Sequence, residues 1–162
     1  MIKYLIMDVD GTLTDGKLYI GNDGEMFKAF SVKDGYGIHD ILPKHEIVPI
    51  IITARESEIV KRRCEELKIL HIYQGCRNKT DKLIELAQQF GKKVVKGKIE
   101  DFAYIGDDII DCECIKMCEK SGCPADSCSE VKESCQFVSQ YKGGEGAVRE
   151  FIEWLINNKF VS

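Results

Sequence analysis

The stretch Ile2-Lys3-Tyr4-Leu5-Ile6-Met7-Asp8-Val9-Asp10-Gly11-Thr12-Leu13-Thr14 decides how the rest of the chain is read. A short, mostly apolar run stops at a polar turn that contains glycine, the pattern of a buried strand entering a loop. Asp8 and Asp10 then stand at the carboxyl end of that strand, where an open α/β sheet gathers its ligands. Asp and Gly are also ordinary turn residues, so this stretch alone is equally a strand followed by an Asp-rich turn. The parts supplied by the rest of the chain decide between the two.

Immediately downstream, Lys17-Leu18-Tyr19-Ile20 and Glu25-Met26-Phe27-Lys28-Ala29-Phe30 flank Gly21-Asn22-Asp23-Gly24. Two β-prone runs around such a turn predict a hairpin. It occupies 15–30, directly after the Asp8 loop, and is placed to project beside that loop as a flap. A hairpin has to pack on something, and a second subunit is one candidate.

The pattern then predicts a helix over 36–42, a strand over 47–52 ending in Thr53-Ala54-Arg55, and a helix over 57–67. A strand over 70–73 and a helix from Lys79 to residue 90 follow. A Lys/Gly-rich connector over 91–100 leads to a strand at 102–105, which ends in Gly106-Asp107-Asp108-Ile109-Ile110-Asp111. A helix to Cys118, a strand at 122–125, a helix at 129–133 and a strand at 136–139 come next. The glycine loop Gly143-Gly144-Glu145-Gly146 and an amphipathic helix over 147–157 complete the chain. Pro49 would weaken a central strand unless it lies at the strand's start. Strands alternating with helices imply right-handed crossovers and a parallel sheet covered on both faces, an α/β fold in a single domain over 1–162.

With 162 residues, 44% hydrophobic and 31% charged, the chain is globular and large enough for a full core. A formal charge of -4 without a long Lys/Arg run argues against a nucleic-acid surface. No apolar stretch reaches the roughly 20 residues that span a bilayer, so no membrane partner is expected. Met1-Ile2-Lys3 leads straight into the first strand, so no signal peptide is expected and the expected compartment is cytoplasmic. Six of the eight cysteines crowd 112–135, but none forms a Cys-x-x-Cys pair and the three histidines lie elsewhere. They are expected to be reduced thiols packed as small hydrophobes, with Cys114 and Cys118 one turn apart on a helix.

Three predicted strands end in candidate reactive residues: Asp8 and Asp10, Thr53, and Asp107 with Asp108. Lys79 opens the helix after a fourth. Singly, Thr53 is as readily a strand end, Lys79 a solvated lysine and Asp107-Asp108 a helix cap. As an ordered set they supply what hydrolysis of a phosphate monoester needs. Asp8 is the candidate nucleophile, and Asp10 the acid for the leaving alcohol and then the base for water. Asp107 with Asp8 suits Mg²⁺, a hard cation that prefers carboxylate and phosphate oxygens. Asp108 is a candidate to assist through water. Lys79 and Thr53 offer an ammonium, a hydroxyl and an N–H to the phosphoryl oxygens.

Asp8-Val9-Asp10-Gly11-Thr12, Thr53, Lys79 and Gly106-Asp107-Asp108 together resemble the haloacid dehalogenase superfamily. The hairpin after Asp15-Gly16, the Lys28-Ala29-Phe30 and Ser31-Val32-Lys33-Asp34-Gly35 stretches, Gln74-Gly75 and the Gly143–Glu150 loop, residues 143–150, are similar to its 3-deoxy-D-manno-octulosonate 8-phosphate phosphatase family. The resemblance implies a Rossmann-like three-layer sandwich with a hairpin flap and no cap domain. Only about twenty residues separate Asp10 from the next helix, too few for an inserted domain. It also implies a homotetramer whose hairpins meet at the centre, with one subunit helping to cover another's site. It adds Asp10 to the Mg²⁺ site and makes Asp10, Lys79, Ser31, Val32, Lys33, Asp34, Gly35, His39, Arg55 and Arg63 the contacts for a sugar acid phosphate. Arginine suits the carboxylate of such a substrate because its planar fork binds both oxygens. Ala54 and Lys33 depart from the family's usual Gly and Arg. The alternatives are a phosphatase of nine-carbon nonulosonate 9-phosphates (the sialic acid branch), and a non-catalytic oligomerisation module associated with a CMP-sialate synthetase.

Overall fold

A computed structural model describes residues 1–158. Its centre is a seven-stranded sheet in the order β5-β4-β1-β7-β8-β9, with β6 antiparallel to β7. The strands are β1 (Tyr4–Met7), β4 (Val48–Ile52), β5 (His71–Tyr73), β6 (Val94–Val95), β7 (Lys98–Ile105), β8 (Cys118–Cys123) and β9 (Phe137–Val138). β2 (Tyr19–Gly21) and β3 (Gly24–Phe27) form the separate hairpin. β1 is parallel to β4 on one side and β7 on the other. The chain winds outward from β1 through β4 to β5, then returns to β7 and winds the opposite way. This reversal makes the β1/β7 boundary the switch point at which such sheets leave a crevice.

Side-chain alternation along the strands sends residues to two cores. Leu5, Met7, Ile51 and Ile105 face one layer, with Val60 and Cys64 of α2 (Glu58–Glu66) and Val148 and Phe151 of α6 (Ala147–Asn157). Ile6, Ile50, Ile52 and Tyr104 face the other. That layer comprises α3 (Lys79–Gln89), α4 (Cys112–Met117) and α5 (Ser129–Ser134). The result is the expected three-layer α/β sandwich. Among the described residues no helix is long and apolar enough to cross a membrane.

Three boundaries differ from the sequence pattern, each for a local reason. The helix predicted from 36 begins earlier, as α1 (Val32–Tyr36), because the Ser31 side chain accepts the Asp34 N–H and caps it. It continues through a π-helical turn (Gly37–Ile41) into a 3₁₀ turn (Leu42–His45) that accommodates Pro43 in its first positions. β7 starts within the predicted connector, and its pairing shifts register between Ile99 and Ala103, where Asp101 has φ +65°. That bulge breaks the period of two that would have marked the strand. The helix after Asp111 stops at Met117, and Cys118 opens β8, so Cys114 and Cys118 do not share a helix. All eight cysteines are free. Pro49 does lie near the start of β4, one residue before pairing with β5 begins at Ile50, where its missing N–H leaves no ladder bond unmade.

Candidate active site

The carboxyl ends of β1, β4 and β7 open into one cleft of about 140 Å³, lined by Asp8, Asp10, Thr53, Ala54, Arg55, Lys79, Asp107, Asp108 and Ile110. After β1 the chain turns tightly: the N–H groups of Thr12, Leu13 and Thr14 all donate to the Val9 carbonyl. Gly11 sits inside this turn with φ +88°, and a Cβ there would lie 2.0 Å from an Asp107 carboxylate oxygen. Glycine therefore provides both the left-handed backbone and the space that lets Asp107 approach β1. The glycine loop braces the turn from behind, since a Cβ on Gly143 would meet the Gly11 carbonyl at 1.9 Å. The Gly144 N–H donates to the Thr12 carbonyl.

Lys79 enters the cleft from the first turn of α3, which is capped by Asn78. Its Nζ donates to Asp8 at 2.7 Å and to Asp111 at 2.8 Å. Asp111 is fully buried and saturated. One oxygen accepts from Lys79 and, at 2.6 Å, from the Tyr104 hydroxyl; the other accepts the N–H groups of Asp107 and Asp108 at 3.1 and 3.2 Å. Asp111 thus sets the height of Lys79 and the course of the Asp107-Asp108 loop at once. Burial opposes charge on Lys79, but Asp8 and Asp111 outweigh it and hold the ammonium above the usual lysine range. Burial, then the charge of Asp111, pushes the Asp8 carboxyl up to about 6 despite Lys79. Burial and the neighbouring Asp8 push Asp107 up to about 9.

Carboxylate oxygens of Asp8, Asp107 and Asp111 all lie within 4.8 Å of one another. Asp111 has no acceptor site left to give. Asp8 and Asp107 face each other with one lysine between three carboxylates, an excess of negative charge that fits a hard divalent cation. The Thr12 hydroxyl donates to Asp107 at 3.2 Å and steadies it. The Asp10 side chain stands outside this group and accepts from Lys28 at 2.5 Å.

Of the other expected contacts, Arg55 alone lines this cleft. Ser31, Asp34, Gly35 and Arg63 enclose a second, much smaller cavity between α1 and α2, with Phe30 and Val60. Asp34 is buried and accepts the Arg149 N–H at 2.8 Å through one oxygen, so it caps α6, while its other oxygen has no hydrogen-bond partner among the described residues. Arg63 stands over the Phe30 ring and pairs with Glu66 at 3.1 Å. Val32 and Lys33 are exposed. His39 is partly exposed beside Asp40, at 3.1 Å. Arg55 reaches the cleft and lies 3.7 Å from Glu25 of the hairpin. Sequence reasoning assigned no role to Asp111, Tyr104, Thr12, Glu25 or Lys28. Only Asp111 carried a local signal, the Asp-x-x-Asp spacing of a capping box from Asp108, which the structure forms.

No family model matches the chain. Among curated relatives, the 3-deoxy-D-manno-octulosonate 8-phosphate phosphatase KdsC of Escherichia coli K12 is 41% identical over 155 residues, 96% of this chain and 79% of that protein. The chain belongs to the 3-deoxy-D-manno-octulosonate 8-phosphate phosphatase family. Solved structures of the family agree with this fold. The Moraxella catarrhalis phosphatase, in complex with magnesium, phosphate and KDO, superposes with TM-score 0.88 at 36% identity, over 97% of this chain and 88% of that one. The cobalt-bound Haemophilus influenzae phosphatase superposes with TM-score 0.88 at 35% identity, over 99% and 94%.

Proposed function

We propose that this chain is a Mg²⁺-dependent phosphatase of a 2-keto-3-deoxy sugar acid phosphate, with 3-deoxy-D-manno-octulosonate 8-phosphate as its substrate. The observation that carries the reading is the buried Asp8–Lys79–Asp111 chain beside Asp107, on a chain 41% identical to such a phosphatase.

Asp8 attacks phosphorus, and the bond from phosphorus to the sugar oxygen breaks while Asp10 delivers a proton to that oxygen. Water then attacks the aspartyl-phosphate and gives its proton to Asp10, and the bond between phosphorus and Asp8 breaks to release phosphate. Lys79 and Thr53 face the phosphoryl oxygens. Asp8 and Asp107 would hold the ion, and Asp10, its carboxylate engaged by Lys28, has its main-chain oxygen to offer. A bound magnesium ion offsets the repulsion between Asp8 and the phosphoryl oxygens.

Arg55 reads the far end of the substrate from within the same chain. Ser31, Val32, Lys33, His39 and Arg63 belong to the cleft of a second copy in a homotetramer, and the buried Asp34 and Gly35 hold that segment in shape. Leu18, Ile20, Met26 and Phe27 of the hairpin, all at least half exposed, support that assembly as its contact surface. A single phosphatase domain over 1–162, working in the cytoplasm, completes the reading; eight free thiols suit a reducing compartment.

The deciding measurement is kcat/KM with Mg²⁺ on the eight-carbon 8-phosphate beside N-acetylneuraminate 9-phosphate and its deaminated analogue. The expected preference for the first is about 100-fold, and a reversed preference assigns the enzyme to nine-carbon acids. Asp8→Asn should lower kcat by at least about 10⁴-fold with an unchanged Tm; undiminished turnover would exclude the covalent route.

A further inference from the structure

A buried lysine on an exposed hairpin calls for a reason, because Lys is rarely buried unless paired. The Lys28 side chain is 2% exposed, whereas Met26 and Phe27 beside it are 65% and 50% exposed. Its Nζ meets Asp10 at 2.5 Å and Glu25 at 3.5 Å. Glu25 is itself held: one oxygen accepts the Ser57 hydroxyl at 3.0 Å and the other lies 3.7 Å from Arg55. Ser57 is fixed in turn by Gln74, which accepts its N–H at 2.8 Å and donates to its carbonyl at 3.1 Å.

A continuous polar chain therefore runs from the loop after β4, through the hairpin, to Asp10. If Lys28 only anchored the hairpin, Glu25 three residues before it would suffice as its partner. The shorter contact goes to Asp10, and it takes one carboxylate oxygen while leaving the other free to carry a proton.

We propose that Lys28, clamped by Glu25, is a positioning residue that holds the Asp10 carboxylate at the leaving-group side of the cleft. The proposal rests on the reading of Asp10 as acid and base given above. Lys28 keeps its own protons throughout; the transferred proton moves from Asp10 to the sugar oxygen as its bond to phosphorus breaks. A flap residue thus does in this capless chain what a fixed wall would otherwise do, which is to keep the acid from swinging away.

The test compares two substrates that differ in their need for an acid. The alkoxide leaving 3-deoxy-D-manno-octulosonate 8-phosphate needs a proton; the nitrophenolate leaving 4-nitrophenyl phosphate does not. Lys28→Met should lower kcat on the sugar phosphate by about 30-fold with KM changed less than about threefold, and lower kcat on 4-nitrophenyl phosphate by only about threefold. Lys28→Arg should recover most of the loss, and Asp10→Asn/Lys28→Met should be no slower than Asp10→Asn alone. If Lys28→Met fails to fold, Glu25→Gln gives the same readout, with about a fivefold loss confined to the sugar phosphate. Equal losses on both substrates, a loss in KM alone, or a further loss in the double variant would overturn the positioning role and leave the phosphatase reading standing. A wild-type protein that turns over neither phosphate would overturn that reading, and the proposal with it.

Discussion

The phosphate end of the cleft and the residues expected at its sugar end are built in opposite ways. At the phosphate end, four charged side chains from β1, α3 and the loop after β7 interlock within one chain, and each is largely or wholly buried. At the other, Asp34 turns one oxygen to α6 and Arg63 pairs with Glu66 on α2, both away from the cleft. On the proposed reading, the difference teaches that one chain gathers the phosphate-end residues in a single cleft but leaves most of the sugar-end residues outside it. Transferring a phosphoryl group requires charge fixed in a dry site, which a sheet switch point supplies. Reading a long polar substrate requires surface beyond the sheet edge, and a capless domain has little of it.

The comparison breaks most severely at Asp111. Asp111→Ala leaves Lys79 and the Tyr104 hydroxyl facing a cavity, and removing one partner of a buried ionic network costs about 3–5 kcal/mol. Urea unfolding should read that loss, together with loss of phosphatase activity. A loss under about 1 kcal/mol would mean that the phosphate end is not interlocked.

Asp34 sharpens the other half. Burial pushes its carboxyl up to about 6, above its value in the unfolded chain, so the folded state binds the proton more tightly. Its stabilising contribution is complete below pH of about 4 and is lost as pH rises through about 6. Two pH units correspond to about 3 kcal/mol. Asp34→Asn should therefore flatten the dependence of stability on pH between about 6 and 4, as followed by Tm, and a slope identical to wild type would remove this account.

The smallest effect is the most informative about assembly. Arg63→Ala should lower kcat/KM on the acidic sugar phosphate by about 30-fold. If Arg63 serves a neighbouring cleft, mixed oligomers of Arg63→Ala and Asp8→Asn subunits should recover activity that neither variant has alone. Absence of recovery in oligomers shown to be mixed would return Arg63 to a packing role on Phe30.

Much of the site was legible because it depends on order along the chain. Asp8, Thr53 and Asp107 each end an apolar strand, and a parallel sheet brings such ends together. α1 was less legible: Gly35 and the charged Lys33-Asp34 pair look like loop, although Ser31-Val32-Lys33-Asp34 also carries the spacing of a helix cap. The first half of β7 was hidden by its bulge at Asp101, whose side chain accepts from Lys92 at 2.7 Å.

What the sequence by itself determined is a parallel sheet and the residues delivered to its carboxyl edge, because strand period, crossover handedness and chain order are local or topological properties. Only the tertiary structure decided that Asp111 is spent on Lys79 and Tyr104, that Lys28 turns inward onto Asp10, and that Asp34 caps a helix 115 residues away. These are side-chain contacts that no local sequence pattern encodes, and they form where desolvated charges have to find partners after the chain has packed.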